Sequence, residues 1–161
     1  MTTIIYNKQT GKLTRDGREV GWNTEKGGGG YRHFSLNGKR TPAHRYIWEI
    51  HNGTIPKGLM IDHKDRNTLN NKLDNLRLAT REQNAQNRRP PSNCLSKYKG
   101  VLNSVNKQKN DCREPWRVGI MKDGVTYTKR GFKTEEEAAL HYNIKAKEFF
   151  GEFAYLNVIK N

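Results

Sequence analysis

Residues 59–89, LMIDHKDRNTLNNKLDNLRLATREQNAQNRR, constrain the chain more than any other stretch, because their hydrophobic periodicity changes character within one short segment. Leu59, Met60 and Ile61 form an apolar run that carries Asp62 and His63 at its end, and so reads as a strand. Leu76-Arg77-Leu78 alternates as a partner strand would. Between them lies a polar loop rich in asparagine, a residue that suits tight turns and positive φ. Thr80 followed by Gln83 is a capping box, so a helix starts there with Asn84 in its first turns. Pro90 and Pro91 stop that helix and stiffen its exit. The expectation is a strand, a loop, a strand and a helix, with a carboxylate, an imidazole and an amide able to converge.

Such a set suits metal-assisted phosphodiester hydrolysis. The oxygens of Asp62 and Asn84 are hard ligands of the kind Mg²⁺ prefers, and that ion keeps several waters when bound. A neutral imidazole, with an unperturbed pKa of about 6.5, can take a proton from an attacking water. The metal stabilises charge on the phosphate and leaving oxygen. In the loop, Asp65 and Asp74 read as carboxylates that fix its shape, and Asn67, Asn70 and Asn71 as largely solvated turn residues.

At these positions the chain resembles a known family. Asp62-His63, Asn70-Asn71, Asp74-Asn75-Leu76 and Asn84 are similar to the HNH motif of homing-type endonucleases, in the variant where Asn replaces the last His. The likeness begins at Tyr31 and includes His44-Arg45 before Trp48. It implies a strand-strand-helix (ββα-metal) nuclease unit with His63 as general base and one Mg²⁺ or Mn²⁺ held by Asp62 and Asn84. It also implies that Asn75 braces the loop that orients His63. His44 is expected in a supporting, hydrogen-bonded role, since no second ligand accompanies it at helical spacing.

The rest of the chain frames this unit. Only 33% of residues are hydrophobic, so neither half builds a large core, and the formal net charge of +14 is spread over both. A balance this basic favours a polyanionic partner without saying which. Ile4-Ile5-Tyr6 reads as a strand, Thr10-Gly11 and Asp16-Gly17 as turns, and the four glycines at 27–30 as a flexible connection or a close approach to phosphate. Residues 31–36 and 39–41 form a hairpin around Asn37-Gly38, and a helix follows from Ala43 to Asn52. Cys94 and Cys112 make no CxxC pair, so both are expected as free thiols in a reducing cytosol, with no zinc. No apolar run approaches a membrane span, which points to the cytoplasm.

After the prolines the pattern changes. Residues 98–102 read as a strand, and residues 116–122 and 125–129 flank the hairpin signal Asp123-Gly124. In that register Ile120 faces Tyr127, Val118 faces Lys129, and Arg117 faces Arg130 on the polar side. Like charges opposed on a sheet destabilise it, and a phosphate-rich ligand would relieve that cost. Thr134 and Glu137 cap a helix whose apolar stripe runs through Ala138, Tyr142, Ala146, Phe149 and Phe153. Residues 96–101 (SKYKGV), Trp116, Phe132-Lys133-Thr134, Glu136-Glu137-Ala138-Ala139, Tyr142 and Gly151-Glu152-Phe153-Ala154 resemble an AP2 domain. That likeness implies a three-stranded sheet docked in a DNA major groove and backed by one helix, with Lys99, Arg117 and Lys122 on or near the DNA-facing strands. Leu102, where arginine is common, and Lys129-Arg130-Gly131 before Phe132 depart from it.

The expected architecture is α+β. A nuclease domain spans 1–89 (core motif 43–89), residues 90–96 link, and a DNA-binding domain spans 97–161. Double-stranded DNA is the expected partner, with Arg88, Arg89 and Arg130 as further phosphate contacts. No small-molecule cofactor is expected, and the chain would act as a monomer or weak dimer that nicks DNA. The main alternative is a DNA-binding regulator on a vestigial HNH scaffold; RNA binding is the other.

Overall fold

The computed structural model describes residues 3–24, 30–91, 94–103 and 115–159. Residues 27–29 of the four-glycine run, residues 92–93 of the expected linker and Cys112 lie outside the described residues. The chain divides into two compact units, Met1–Asn84 and Ala85–Asn161.

The first unit begins with a meander, β1 (Ile4–Asn7), β2 (Lys12–Arg15) and β3 (Arg18–Glu19), turning at Thr10-Gly11 and Asp16-Gly17. A second antiparallel sheet holds β4 (Trp22–Asn23), β5 (Arg32–Leu36) and β6 (Lys39–Pro42). Asn37 and Gly38 join β5 to β6 with φ of 49° and 76°, the left-handed pair that matches strand twist in a two-residue hairpin. Helix α1 (Ala43–Asn52) starts directly after Pro42 and buries Ala43 and Ile47. Strands β7 (Met60–His63) and β8 (Leu76–Ala79) then pair antiparallel, with Asp62 opposite Arg77 and His63 opposite Leu76. Their connecting loop closes with a 3₁₀ turn, Leu73–Asn75. Helix α2 (Arg81–Asn87) follows through the expected capping box: the Thr80 amide donates to Gln83 Oε1 at 2.8 Å and the Gln83 amide to Thr80 Oγ1 at 3.2 Å. Leu13, Phe34, Ile47, Ile61 and Leu76 meet in the core. β2, β5, α1, β7 and β8 thus contribute one or two buried side chains each, which is how a chain so poor in apolar residues closes a core at all.

In the second unit the sheet order is β11-β10-β9, from β9 (Val101–Asn103), β10 (Trp116–Lys122) and β11 (Val125–Phe132). The first strand starts later than its sequence suggests. Residues 96–100 are bends and turns, tied by Ser96 Oγ to the Tyr98 amide and carbonyl, and Gly100 sits against the Tyr142 ring. The β10–β11 register is the expected one: Ile120 opposite Tyr127, Val118 opposite Lys129, Arg117 opposite Arg130. It shifts between Trp116 and Arg117, where Gly131 is the extra residue (φ 92°). A bulge changes the side-chain parity of everything beyond it, and here it returns Phe132 to the core face beside Trp116. Helix α3 (Glu135–Phe150) covers that face, capped by Thr134 and Glu137 in a full capping box and stopped by Gly151. Ala138, Ala139, Tyr142 and Ala146 pack on Val118 and Ile120; the small alanines let helix and sheet approach closely. Phe149 and Phe153 are only partly buried. No helix among the described residues is long and apolar enough to cross a membrane, and Cys94 is an exposed free thiol.

Candidate active site

The β7–β8 pair places the two expected catalytic neighbours in different polar environments. Asp62 and His63 are 5% and 4% exposed, unusual for such groups unless they are hydrogen-bonded. Asp62 Oδ2 accepts from both Nε and Nη2 of Arg77, at 2.9 Å and 2.8 Å, in a buried ion pair. His63 turns instead towards the loop, where its Nε2 lies 3.0 Å from Asn71 Oδ1. Arg77 does not stand out as a site residue in the sequence, and Asn71 enters only as part of the Asn70-Asn71 pair. Arg77 becomes visible once the strand register is known, because it is the cross-strand neighbour of Asp62. Asn71, expected as a solvated turn residue, is 1% exposed; its burial corrects that reading, and the Asn70-Asn71 pair was its only signal.

Asn75 is hydrogen-bonded within the loop. Its Nδ2 donates to Asp65 Oδ1 at 2.9 Å and to the Asn70 carbonyl at 2.8 Å, and its Oδ1 accepts from the Asp65 amide. Its own carbonyl accepts from the Lys64 amide, directly after His63. Burial alone would raise the Asp65 pKa, but bonds from Asn70, the Asn67 amide and Asn75 outweigh it and hold that carboxyl below the usual range. Asp74 contributes its backbone, whose carbonyl accepts from Lys64 Nζ.

His44 sits nearer the chemistry than its place on α1 suggests. Its ring packs edge-on against His63 with centroids 5.4 Å apart, and Tyr31 lies tilted against both, at 5.1 Å and 6.2 Å. The expected hydrogen-bonded role does not hold for Nδ1, which is buried without a partner. Burial, with help from the charges of His63, Arg45 and His33, lowers the His44 pKa to about 3, so the ring stays neutral. Asn84 lies half-buried in the first turns of α2, its amide donating to the Thr80 carbonyl at 3.0 Å.

The expected DNA contacts fall into two groups. Arg88 and Arg89 are exposed, as is Arg130, which stands opposite the half-buried Arg117 on the face of the sheet away from α3. Arg117 Nε is buried without a partner. Lys122 and Lys99 differ from expectation. Strand parity puts Lys122 on the side of Val118 and Ile120, and its ammonium lies 5.4 Å from the Phe149 ring centroid. Lys99 Nζ donates to the carbonyls of Ala85, Gln86 and Arg88, at 3.3, 2.6 and 2.8 Å, where the end of a helix leaves acceptors to be satisfied.

Comparison with known proteins bears on this geometry. The family model of the HNH endonuclease matches residues 41–86, the segment from β6 to α2 that carries the residues described around His63 except Tyr31 and His33. The chain is 40% identical over 116 residues to Protein 3.8 of Escherichia phage T7, covering 72% of this chain and 90% of that one. Residues 41–86 are an HNH endonuclease domain. It is also 40% identical over 117 residues to a protein of Acanthamoeba polyphaga mimivirus described as an uncharacterized HNH endonuclease, and spans 57% of that relative's length. No solved structure matches the chain significantly.

HNH nucleases in general use a divalent metal ion. Among the described residues no group of three or more His, Cys, Asp or Glu could hold one. The carboxylate and the amide expected as ligands from the sequence are those of Asp62 and Asn84. The oxygens of these two side chains are hard donors of the kind such a cation takes, and Asp62 Oδ2 also accepts from Arg77 at 2.9 and 2.8 Å.

Proposed function

We propose that the chain is a divalent-metal-dependent DNA endonuclease of homing type, hydrolysing a phosphodiester of double-stranded DNA at a chosen site. The observation that carries this reading is the buried His63, adjacent to a buried carboxylate and hydrogen-bonded through one ring nitrogen to Asn71. A histidine so held has one nitrogen fixed by its partner, which leaves proton transfer to the other. Asp62 and Asn84 would hold Mg²⁺ or Mn²⁺, which supplies charge stabilisation at the phosphate and the leaving oxygen when bound. His63 takes the proton of the attacking water, and Asn75 keeps the loop after His63 in one shape.

The C-terminal unit would supply most of the target choice, as an AP2-like sheet. Arg117 and Arg130 on its outer face, with Arg88 and Arg89, are the cations suited to phosphate. One site per chain makes a nick the simplest product of a monomer working in the cytoplasm; cutting both strands takes two chains or two events.

A second reading draws on the Asp62–Arg77 pair, which occupies an expected metal ligand: a regulator that binds DNA without cutting it. Supercoiled plasmid bearing candidate target DNA separates the two. The nuclease converts it to open circles with Mg²⁺, stops with EDTA and loses the activity in His63→Ala. Binding by both proteins with cutting by neither, even with Mn²⁺, establishes the regulator.

A further inference from the structure

The loop that meets His63 is held from outside the segment matched by the HNH family model. Tyr6 on β1 reaches its far side: the Leu73 amide donates to the Tyr6 hydroxyl at 2.8 Å, and that hydroxyl lies 3.4 Å from the Asn71 carbonyl. Gly11, in the turn between β1 and β2, lies against the same peptide. A Cβ there would stand 2.7 Å from Lys72 N and 2.9 Å from Asn71 C, and φ is +71°, so only glycine fits. Leu13 on β2, 2% exposed, anchors the hairpin in the core. The backbone around Asn71 is thus held both by hydrogen bonding to Tyr6 and by packing against Gly11.

We propose that Asn71 is a positioning residue for His63, and that the N-terminal hairpin β1–β2 holds Asn71 where its side-chain Oδ1 accepts a hydrogen bond from Nε2–H. A neutral imidazole has one N–H. Donation from Nε2 to Oδ1 puts the lone pair on Nδ1, the nitrogen that must accept the proton of the attacking water. When that proton arrives the ring becomes imidazolium and still donates through Nε2, now in a stronger, charge-assisted bond, without turning. Asn71 Nδ2 is buried without a partner, which is the cost of this orientation. The reversed amide would satisfy Nδ2, but it would occupy the Nε2 lone pair and set a donor against the imidazolium. The inference rests on His63 as the general base and extends it in two ways. The base is oriented by an asparagine side chain in the loop, and that loop is set by a hairpin outside residues 41–86.

The test uses the full chain and two readouts. Long-range ¹⁵N–¹H spectra of the histidine rings report which nitrogen carries the proton, with no need for activity. The wild type is expected to show His63 as the Nε2–H tautomer. Asn71→Asp, which keeps an acceptor, should retain it; Asn71→Leu should lose it. With Mg²⁺ and plasmid bearing target DNA, Asn71→Leu is expected to lose about 10- to 100-fold in kcat with KM nearly unchanged, the range typical of partners that orient an active-site histidine. Asn71→Asp should recover part of that loss. Tyr6→Phe, which removes one hydroxyl and keeps the ring, should shift the His63 signals and lower kcat by a few-fold; it decides the matter if Asn71→Leu does not fold. An Nδ1–H tautomer in the wild type overturns the proposal. So does an unchanged tautomer and kcat in folded Asn71→Leu, or in folded Tyr6→Phe if Asn71→Leu does not fold. The expected tautomers in wild type and variants, together with a wild type that does not cut DNA, would uphold the coupling and refute the nuclease reading instead.

Discussion

The two units use polar residues in opposite ways. Around β7 and β8, Asp62, His63, Asn71, Asn75 and Arg77 are all under 10% exposed; Asp62 pairs with Arg77, His63 with Asn71, and Asn75 with Asp65 and Asn70. On the sheet of the second unit, Lys129 and Arg130 are exposed on the edge strand and Arg117 is half-buried beside Arg130. The first arrangement fixes atoms, as chemistry at one bond demands, and each group's partner matters because desolvation makes a lone polar group costly. The second leaves charge accessible, as attraction to a polyanion demands, and tolerates like-charge opposition that a ligand relieves. Substitutions should therefore act sharply and locally in one unit and gradually in the other.

The largest effect expected is on cutting. His63→Ala should lower the rate by at least about 10²- to 10⁴-fold, the usual contribution of a general base, while affinity for the duplex measured by gel shift stays within a few-fold. An equal loss of binding would mean that His63 belongs to the docking surface and that the contrast between units is false. Next comes Arg77→Leu, which strands the Asp62 carboxylate in the interior. Breaking a buried pair from one side costs about 3–5 kcal/mol, read as a lower denaturation midpoint. The double change Arg77→Leu with Asp62→Leu should recover most of that stability and none of the cutting. A smaller effect belongs to the sheet. Arg117→Gln with Arg130→Gln should weaken DNA binding and reduce the slope of log K against log salt by about 0.9 for each phosphate no longer neutralised. Protein stability should hold or rise slightly as the opposed charges go. A sharp loss of fold instead would show that Arg117 serves the core.

The smallest expected effect concerns His44. Its pKa is depressed in the folded state, from 6.5 to about 3. The unfolded chain therefore binds more protons between those values, so this contribution to stability is present above pH 6.5 and is lost as pH falls towards 3. His44→Gln should flatten the pH dependence of the thermal midpoint across that window relative to wild type. Identical profiles would place His44 in solvent rather than against His63.

Much of this organisation was legible from sequence because it is local. Capping boxes at Thr80 and Thr134, the Asn37-Gly38 and Asp123-Gly124 turns and the β10–β11 register follow from residues a few positions apart, whose bonds form wherever the chain folds. The HNH match of residues 41–86 was legible too, since the order and spacing of Asp62, His63, Asn75 and Asn84 are a property of the string. The later start of β9 was not, because it is decided by Ser96 and by the packing of Gly100 against Tyr142. The directions of Lys99 and Lys122 were likewise hidden: each is set by where helix-end carbonyls or an aromatic ring lie in space.

The sequence by itself determined the elements, their caps and turns, and the chemistry that the Asp-His pair and the two asparagines can carry. Only the tertiary structure decided which partner each group keeps. It paired Asp62 with Arg77 across two strands, set His44 and Tyr31 against the His63 ring, and buried Asn71 beneath Tyr6, 65 residues away in the chain. The reason is physical. A capping bond depends on backbone geometry that neighbours in sequence impose. A buried polar group is satisfied by whatever the folded chain brings within about 3 Å, and propensity alone does not encode that.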